Sequence, residues 1–496
     1  MSLVKANGAG EVSTGFYNGV VEQSLRFEDG DSSYLLRTPS SAGNSKTFTI
    51  SMWVKRANID ITSVLLNVFV SASPNNQGLL RFTSNQLQFT NFSGEYDIQT
   101  NRFFRDTTNW YHILIRVDTT QSTASERIKI YINGTLQTSL ATSTYPTQNL
   151  DLEWNTTNKH LIGARTDNST PTPIQRFDGY LAEINLRDGE ALGPESFGET
   201  KNGVWIAKKY TGSYGTNGFR LQFKETGDGQ TTASSSTIGA DTSGNSNHFK
   251  DVNFDAHDSN MPDSPENNYN VQNPLQINTS YTTLSQGGLK VTGATSANSG
   301  VSLGTFSVTS GKWYFEVRQG TIGSEFIGVM VKQVSYENSL IDGSSVAQTH
   351  AKGVVARYNG LVRGISGEVQ LSSTTAWTTG DIIGIAFDMD NGAVYFAKNN
   401  TYLNSGNPAS GSSKTGSFLN FTVDSTRIAT PALDAYSGGN VTANFGQDGT
   451  FLGTETAQGN TDDNGQGNFY YAPPSGYLAL CSANLPDVTI GPDSDT

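Results

Sequence analysis

The sequence contains a single cysteine, Cys481, in 496 residues. That excludes an intrachain disulfide framework and any cysteine-based metal site. No apolar run reaches the roughly 18 residues a membrane-crossing helix needs. The opening "MSLVKANGAGEV" lacks the apolar centre of a secretory signal. The sequons at Asn91, Asn133, Asn155 and Asn168 are therefore expected to reflect composition rather than glycosylation. Basic runs are also missing, and the formal charge is −13. Phosphate contacts need clustered lysine and arginine, so no nucleic-acid partner is expected. Stretches rich in Ala, Leu, Glu and Lys are scarce, which argues against long helices. Neither heptads nor a collagen-like repeat is present.

What the chain does have is glycine, 52 residues, and aromatics at 10% against only 16% charged residues. This is the profile of an all-β protein with many turns. Its length exceeds what one core supports, so two or three domains are expected. "KTFTISMWVKR" alternates apolar and polar positions through Phe48, Ile50, Met52 and Val54, and "NWYHILIRVD" repeats the pattern. In "ERIKIYINGTLQTSL" Ile128, Ile130 and Ile132 share a face and Asn133-Gly134 supplies the hairpin turn. "GDIIGIAFDMDNGAVYFAKNN" raises a choice between a calcium loop and a turn. A calcium loop needs glycine sixth and glutamate twelfth. Counting from Asp388, glycine is fifth and the twelfth residue is Asn399. A hairpin turning at Asn391-Gly392 fits instead. Between about 226 and 281 the chain is polar, Pro-punctuated and without period. Its scattered Ile238, Phe249, Phe254, Met261, Tyr269 and Leu275 read as anchors of an irregular layer wrapped on neighbouring surfaces.

These pieces carry a resemblance. "SLRFEDGDSSYL", "FTISMWVKR", "NWYHILIRVD", "IKIYINGTLQTS", "HLIGAR" and "FDGYLAEINLRDG" make residues 24–223 similar to laminin-G-like/concanavalin A-like domains. "GKWYFEVRQG", "FIGVM", the 380–400 hairpin and "ATPALDAY" make residues 286–446 similar to a SPRY domain. The resemblance implies two tandem jelly-roll antiparallel β-sandwiches joined by an irregular connector, 224–285. A docking segment, 1–23, precedes them and an extension, 447–496, follows and packs on them. "DTSGNSNHF", "DSPENNYNVQNPL" and "GNFYYAPPSGYLALCSANLP" resemble segments of tailed marine bacteriophage structural proteins. That implies a non-enzymatic virion component (tail fibre, appendage or capsid decoration) exposed on the particle. Its partners would be other virion proteins and a host-surface glycan, and it would be a homo-oligomer, a trimer if it forms a fibre. The first 22 residues are expected to dock on a neighbouring virion protein. A glycan-binding adhesin is the alternative, and a polysaccharide depolymerase ranks behind both.

No catalytic residues are assigned. Enzymes with the concanavalin A-like fold carry E-x-D-x-E or E-x-D-x-x-E on a strand, which is missing here. Glu183 and Glu316 are lone strand acids, expected to face outward or lie at a rim. The five histidines form no H-x-x-x-H pair, no G-x-S-x-G elbow occurs in an α/β setting, and "GSYGTNG" lacks a phosphate loop's lysine. Candidate ligand-binding rings are Phe92, Tyr96, Trp154, Tyr210 and Tyr214, in loops where they could stack on sugar. Some laminin-G-like domains hold a calcium ion at the rim, which makes Asp29, Asp31, Asp167 and Asn168 candidate metal ligands; no other cofactor is expected. Trp53, Trp110 and Trp313 read as core, and Cys481 as a buried apolar residue.

Overall fold

A computed structural model describes residues 3–5, 17–72, 75–277, 279–295, 300–323, 325–333, 353–360, 362–363, 375–423 and 427–485. Residues 6–16 of the expected docking segment and 486–496 of the expected extension lie outside them. The structure is built from β-strands with short 3₁₀ turns. The chain forms two compact units, one of residues 16–266, the other of residues 1–15 with 267–496.

In the first unit, among the described residues, a seven-stranded sheet runs in the order Thr135–Leu136, Ile128–Ile132, Tyr111–Asp118, Thr47–Arg56, Gly179–Asp188, Phe219–Leu221, with Leu25–Phe27 also on Gly179–Asp188. An eight-stranded sheet runs Leu140–Thr144, Asp97–Phe103, Gln86–Asn91, Asn75–Thr83, Ser63–Ala72, Lys159–Ile162, Tyr34–Arg37, Lys250–Val252. Phe48, Ile50, Met52 and Val54 join Ile113, Ile115, Leu80, Phe82, Leu87 and Phe89 in the core between the sheets. The expected period of two thus places one face of each strand inside. Asn133 and Gly134 turn with φ of 48° and 76°, the left-handed pair a type I′ hairpin requires.

The other face of the seven-stranded sheet is covered by a short hairpin, Gly198–Lys201 with Val204–Ala207, and by irregular chain. Trp53, Trp110 and Tyr180 are buried there rather than in the central core. Two segments do the covering. Trp205 of the Val204–Ala207 strand lies on His112, its Nε1 donating to Nδ1 at 3.1 Å, while Ser51 Oγ meets Nε2 at 2.9 Å. Burial drives the His112 pKa down to about 3, so this imidazole is neutral and packs as a flat polar spacer. The second segment, around 256–266, is fixed by buried ion pairs: Arg26 Nη2 to Asp258 at 2.9 Å and Lys55 Nζ to Asp263 at 2.7 Å. Glu266 accepts the backbone N–H groups of Gly19, Val20 and Val21 at 2.9–3.1 Å, holding the chain's entry into this unit. Ile238, Phe249 and Phe254 enter the core and Met261 is buried, whereas Leu275 is exposed.

In the second unit a nine-stranded sheet runs Thr282–Ser285, Lys290–Gly293, Asn440–Asn444, Lys312–Gln319, Ile382–Asp388, Ala393–Lys398, Thr401–Tyr402. Leu419–Asn420 and Leu478–Ala479 add to its members. A second sheet runs Leu3–Lys5, Phe306–Val308, Arg427–Ala435, Phe326–Gln333, Gly353–Arg357, Val362–Arg363, with Gly300–Leu303 also on Arg427–Ala435. Leu3–Lys5 pairs in parallel with Phe306–Val308. The expected two-residue reversal at Asn391-Gly392 is instead a four-residue loop. Asp388 pairs with Ala393, Asp388 Oδ1 accepts the N–H groups of Asp390 and Asn391, and Gly392 N–H closes on Asp388 C=O at 2.9 Å. The aspartate side chain replaces the tight turn with an Asx-type one.

Here too a sheet face is sealed by irregular chain. Phe469, Tyr477, Ala479 and Cys481 pack with Tyr269, Tyr314 and Tyr395, and burial pushes the Cys481 thiol up to about 12. The anchor is Glu316, expected at a surface but fully buried. Its carboxylate accepts Tyr470 N–H at 2.9 Å, Tyr471 N–H at 2.7 Å, Asn444 Nδ2 at 3.1 Å and Tyr314 Oη at 3.2 Å. Asp462 repeats the device, taking four donors from Asn464, Gln466, Ala479 and Asn484.

Burial raises the Glu316 pKa from 4.5 to about 7, against donors that favour the anion. Between those values the folded chain holds a proton that the unfolded chain releases. This residue's stabilisation is therefore fully present below about pH 4.5 and is lost as pH rises through 7. Urea unfolding of wild type and Glu316→Gln should show a stability difference that changes across this window, with a slope of up to about 1.4 kcal/mol per pH unit. A difference independent of pH there would contradict the assignment.

Candidate functional site

The face of the eight-stranded sheet that points away from the core carries polar side chains fixed on one another. Because Leu80 and Phe82 point inward, Arg81 between them points out; Gln88 lies likewise between Leu87 and Phe89, and Asp97 precedes the inward Ile98. Strand register then lines them up. Arg81 Nε donates to Gln88 Oε1 at 2.8 Å and Gln88 Nε2 donates to Asp97 Oδ1 at 2.8 Å, across three adjacent strands. Beside this ladder Gln99 Nε2 donates to Gln86 Oε1 at 2.9 Å. The loop from Arg165 to Gln175 closes one end: Thr166 N–H reaches the buried Asn67 Oδ1 at 3.3 Å, and Arg165 Nε is held by Gln175 Oε1 at 2.8 Å.

Phe92 joins the two parts. The guanidiniums of Arg81 and Arg165 lie 5.7 Å and 5.3 Å from its ring centroid. Its faces therefore serve as a seat for cations rather than as a bare platform for a sugar. Burial lowers the pKa of both arginines; Asp97 opposes this for Arg81 and Asp167 for Arg165. Burial also raises the Asp97 carboxyl, with Gln88 and Arg81 pulling it back. The arrangement offers fixed donors and acceptors, of both charges, on a surface whose rotamers are already spent on each other.

Of the other expected rings, Tyr96 and Trp154 are interior. Trp154 stacks on Phe89 at 5.2 Å and donates to Tyr96 Oη at 2.8 Å, and Tyr96 donates to Glu153 at 3.1 Å. They build the core and present no face to solvent. Tyr214 is also buried, donating to Asn185 Oδ1 at 2.7 Å. Tyr210 is half-buried, stacked on Phe197 at 5.2 Å, and accepts from Arg187 Nε at 3.2 Å. Both hold the 194–217 segment against the strand Gly179–Asp188. Loop position misled here because sandwich ends bury aromatics as readily as strands do.

The four expected metal ligands do not form one set among the described residues. Asp167 pairs with Arg165 at 3.7 Å, and the Asn168 carbonyl accepts the Thr166 hydroxyl at 3.3 Å. Asp31 contributes its carbonyl to Asn253 Nδ2 at 3.2 Å. Asp29 does sit in an acidic group, with Glu28 and Asp178, whose carboxylate oxygens lie within 4.8 Å of one another. Glu28 stands beside Asp29 in "FEDGD", whereas Asp178 of "RFDG" is about 150 residues away in sequence and joins them only through the fold. Carboxylates suit a hard cation, and Glu28 already spends one lone pair on Gly30 N–H at 3.1 Å. Glu183 lies elsewhere, buried rather than outward: at φ 48° in a bulge of Gly179–Asp188 it pairs with Arg220 at 2.5 Å.

Residues 29–196 match the family model described as the concanavalin A-like lectin/glucanases superfamily, and residues 312–427 match the SPRY domain model. The chain thus carries a concanavalin A-like sandwich followed by a SPRY sandwich. Among solved structures, the SPRY domain of human HERC1 is 20% identical, covering 35% of this chain and 96% of that one, with a TM-score of 0.26. The heptameric SAP-like pentraxin of Limulus polyphemus is 14% identical over 35% of this chain and 79% of that one, TM-score 0.27. The TRIM65 PSpry domain is 14% identical over 35% and 88%, TM-score 0.25. No curated protein matches the chain.

Added calcium should raise the thermal midpoint of the wild-type protein, and Asp29→Asn should abolish that response. A wild-type midpoint indifferent to calcium would remove the Glu28–Asp29–Asp178 group as a cation site.

Proposed function

We propose that this chain is a non-enzymatic component of a bacteriophage virion that works by surface contact, holding other virion proteins and engaging host-surface glycan. The observation that carries the contact role is the Arg81–Gln88–Asp97 ladder with Arg165 on Phe92. Preset polar side chains at a half-buried sheet face recognise hydroxyl-rich or polar partners at little ordering cost. Concanavalin A-like and SPRY domains are in general binding modules, which supports contact over chemistry. The two strand acids support it too: Glu183 is committed to Arg220 and Glu316 to four donors, so neither is poised as half of a glycosidase pair. The virion assignment rests on the likeness of the connector and the C-terminal segment to phage structural proteins.

Two measurements test this. Mass spectrometry of purified particles should find the chain as a stoichiometric component; its absence from particles would contradict the virion role. Purified protein should bind host-surface polysaccharide without shortening it. Arg81→Ala should weaken binding about tenfold or more, since a hydrogen bond to a charged group contributes roughly 1.5–3 kcal/mol. Depolymerisation of the glycan would favour the enzyme reading, and unchanged affinity in Arg81→Ala would place contact elsewhere.

A further inference from the structure

Lys55 occupies an unusual place. It lies near the end of Thr47–Arg56, a central strand of the seven-stranded sheet, on the face turned away from the core. The 256–266 segment seals it from water, so the side chains of Lys55 and Asp263 are 1% and 0% exposed. Nζ lies 2.7 Å from Asp263 Oδ2, and Asp263 Oδ1 accepts Trp110 Nε1–H at 3.2 Å. The Tyr180 ring lies 5.7 Å from Nζ. The backbone that carries Asp263 is held in place, because Ser24 pairs with Met261 and Ser24 Oγ donates to the Asp263 carbonyl at 2.6 Å.

Other ion pairs in the structure differ in chemistry or exposure. Arg26–Asp258 and Arg220–Glu183 are buried, but a guanidinium stays protonated and is no nucleophile. The lysines of Lys46–Asp151, Lys129–Glu126, Lys312–Asp388 and Lys398–Asp381 are 18–37% exposed. Among the described ion pairs, Lys55–Asp263 alone joins an amine to a carboxyl with both ends dry.

We infer that Lys55 and Asp263 condense to an amide, an isopeptide cross-link between the sheet and its covering segment. Separated charges are costly at such a depth, so one proton passes from the ammonium to Oδ2, leaving a neutral amine against a neutral carboxylic acid. Burial lowers the Lys55 pKa, with Asp263 and then Asp106 opposing, which favours this transfer. The Nζ lone pair adds to Asp263 Cγ, and the charge that develops on Oδ1 falls where Trp110 N–H already points. Nitrogen then yields a proton to the Oδ2 hydroxyl, the C–Oδ2 bond breaks and water leaves. One C–N bond forms, one C–O bond breaks, and nothing is oxidised or reduced. Fixed proximity supplies the drive: well-oriented partners reach effective concentrations of about 10⁵–10⁸ M. The product ties together positions 208 residues apart.

Intact-mass measurement of the denatured full chain tests this, with trypsin mapping. Wild type should be one water lighter than its sequence. Trypsin should fail to cut at Lys55 and should yield a branched peptide joining residues 47–56 to residues 251–290. Lys55→Arg and Asp263→Ala should both have their full sequence mass. Asp263→Asn should lose ammonia instead of water and give the same branched product, which an ion pair that only stabilises the fold would not do. Wild-type chain at full sequence mass and cut at Lys55, after prolonged incubation at neutral pH, overturns the inference, as does a water loss mapped to any other position.

Discussion

A sheet in a sandwich has two faces and only one of them meets the core; everything else in this protein follows from how the second face is treated. In each unit one sheet has its outer face closed by irregular chain, and carboxylates turned inward onto fixed donors hold that chain in place. Asp263, Asp258 and Glu266 do this in the concanavalin A-like unit, Glu316 and Asp462 in the SPRY unit. The reason is the backbone. Irregular chain laid on a sheet brings N–H groups that have no ladder partner, and a buried carboxylate satisfies several at once, as Glu316 does for Tyr470 and Tyr471. Removing such an anchor strands donors and acceptors together, so these segments belong to the folded units rather than hanging from them.

The same division bears on the proposed contact surface. Where the seven-stranded sheet is sealed, its outward residues (Lys55, Trp110, His112, Tyr180) are consumed by packing. The eight-stranded sheet keeps Arg81 and Asp97 half-buried and joined through the buried Gln88. A surface that has already fixed its rotamers loses little entropy on meeting a partner.

Much of the fold was legible in the sequence because strand alternation and Asn-Gly turns are local signals. Phe48 to Val54 and Ile128 to Ile132 could be placed on a face by counting, and Asn133-Gly134 turns as its composition requires. The hairpin near Asn391 was legible as a reversal but not in its length, because Asp388 uses its side chain to build a larger turn. The site was legible only in part. Phe92 and Asp167 were singled out, and both meet Arg165, but Arg81, Gln88 and Asp97 become a site only when three strands align. Tyr96 and Trp154 read from sequence as loop rings able to stack on sugar, and Glu316 as an outward or rim acid, because nothing local says that a second layer will cover a strand or a loop.

Hydrogen exchange read by mass spectrometry tests the sealing most directly. Peptides spanning 258–266 and 468–484 should be protected to the degree of the strands beneath them, since their amides are seated on buried acceptors. Exchange of these peptides at the rate of open loops, with the strands still protected, would contradict the account.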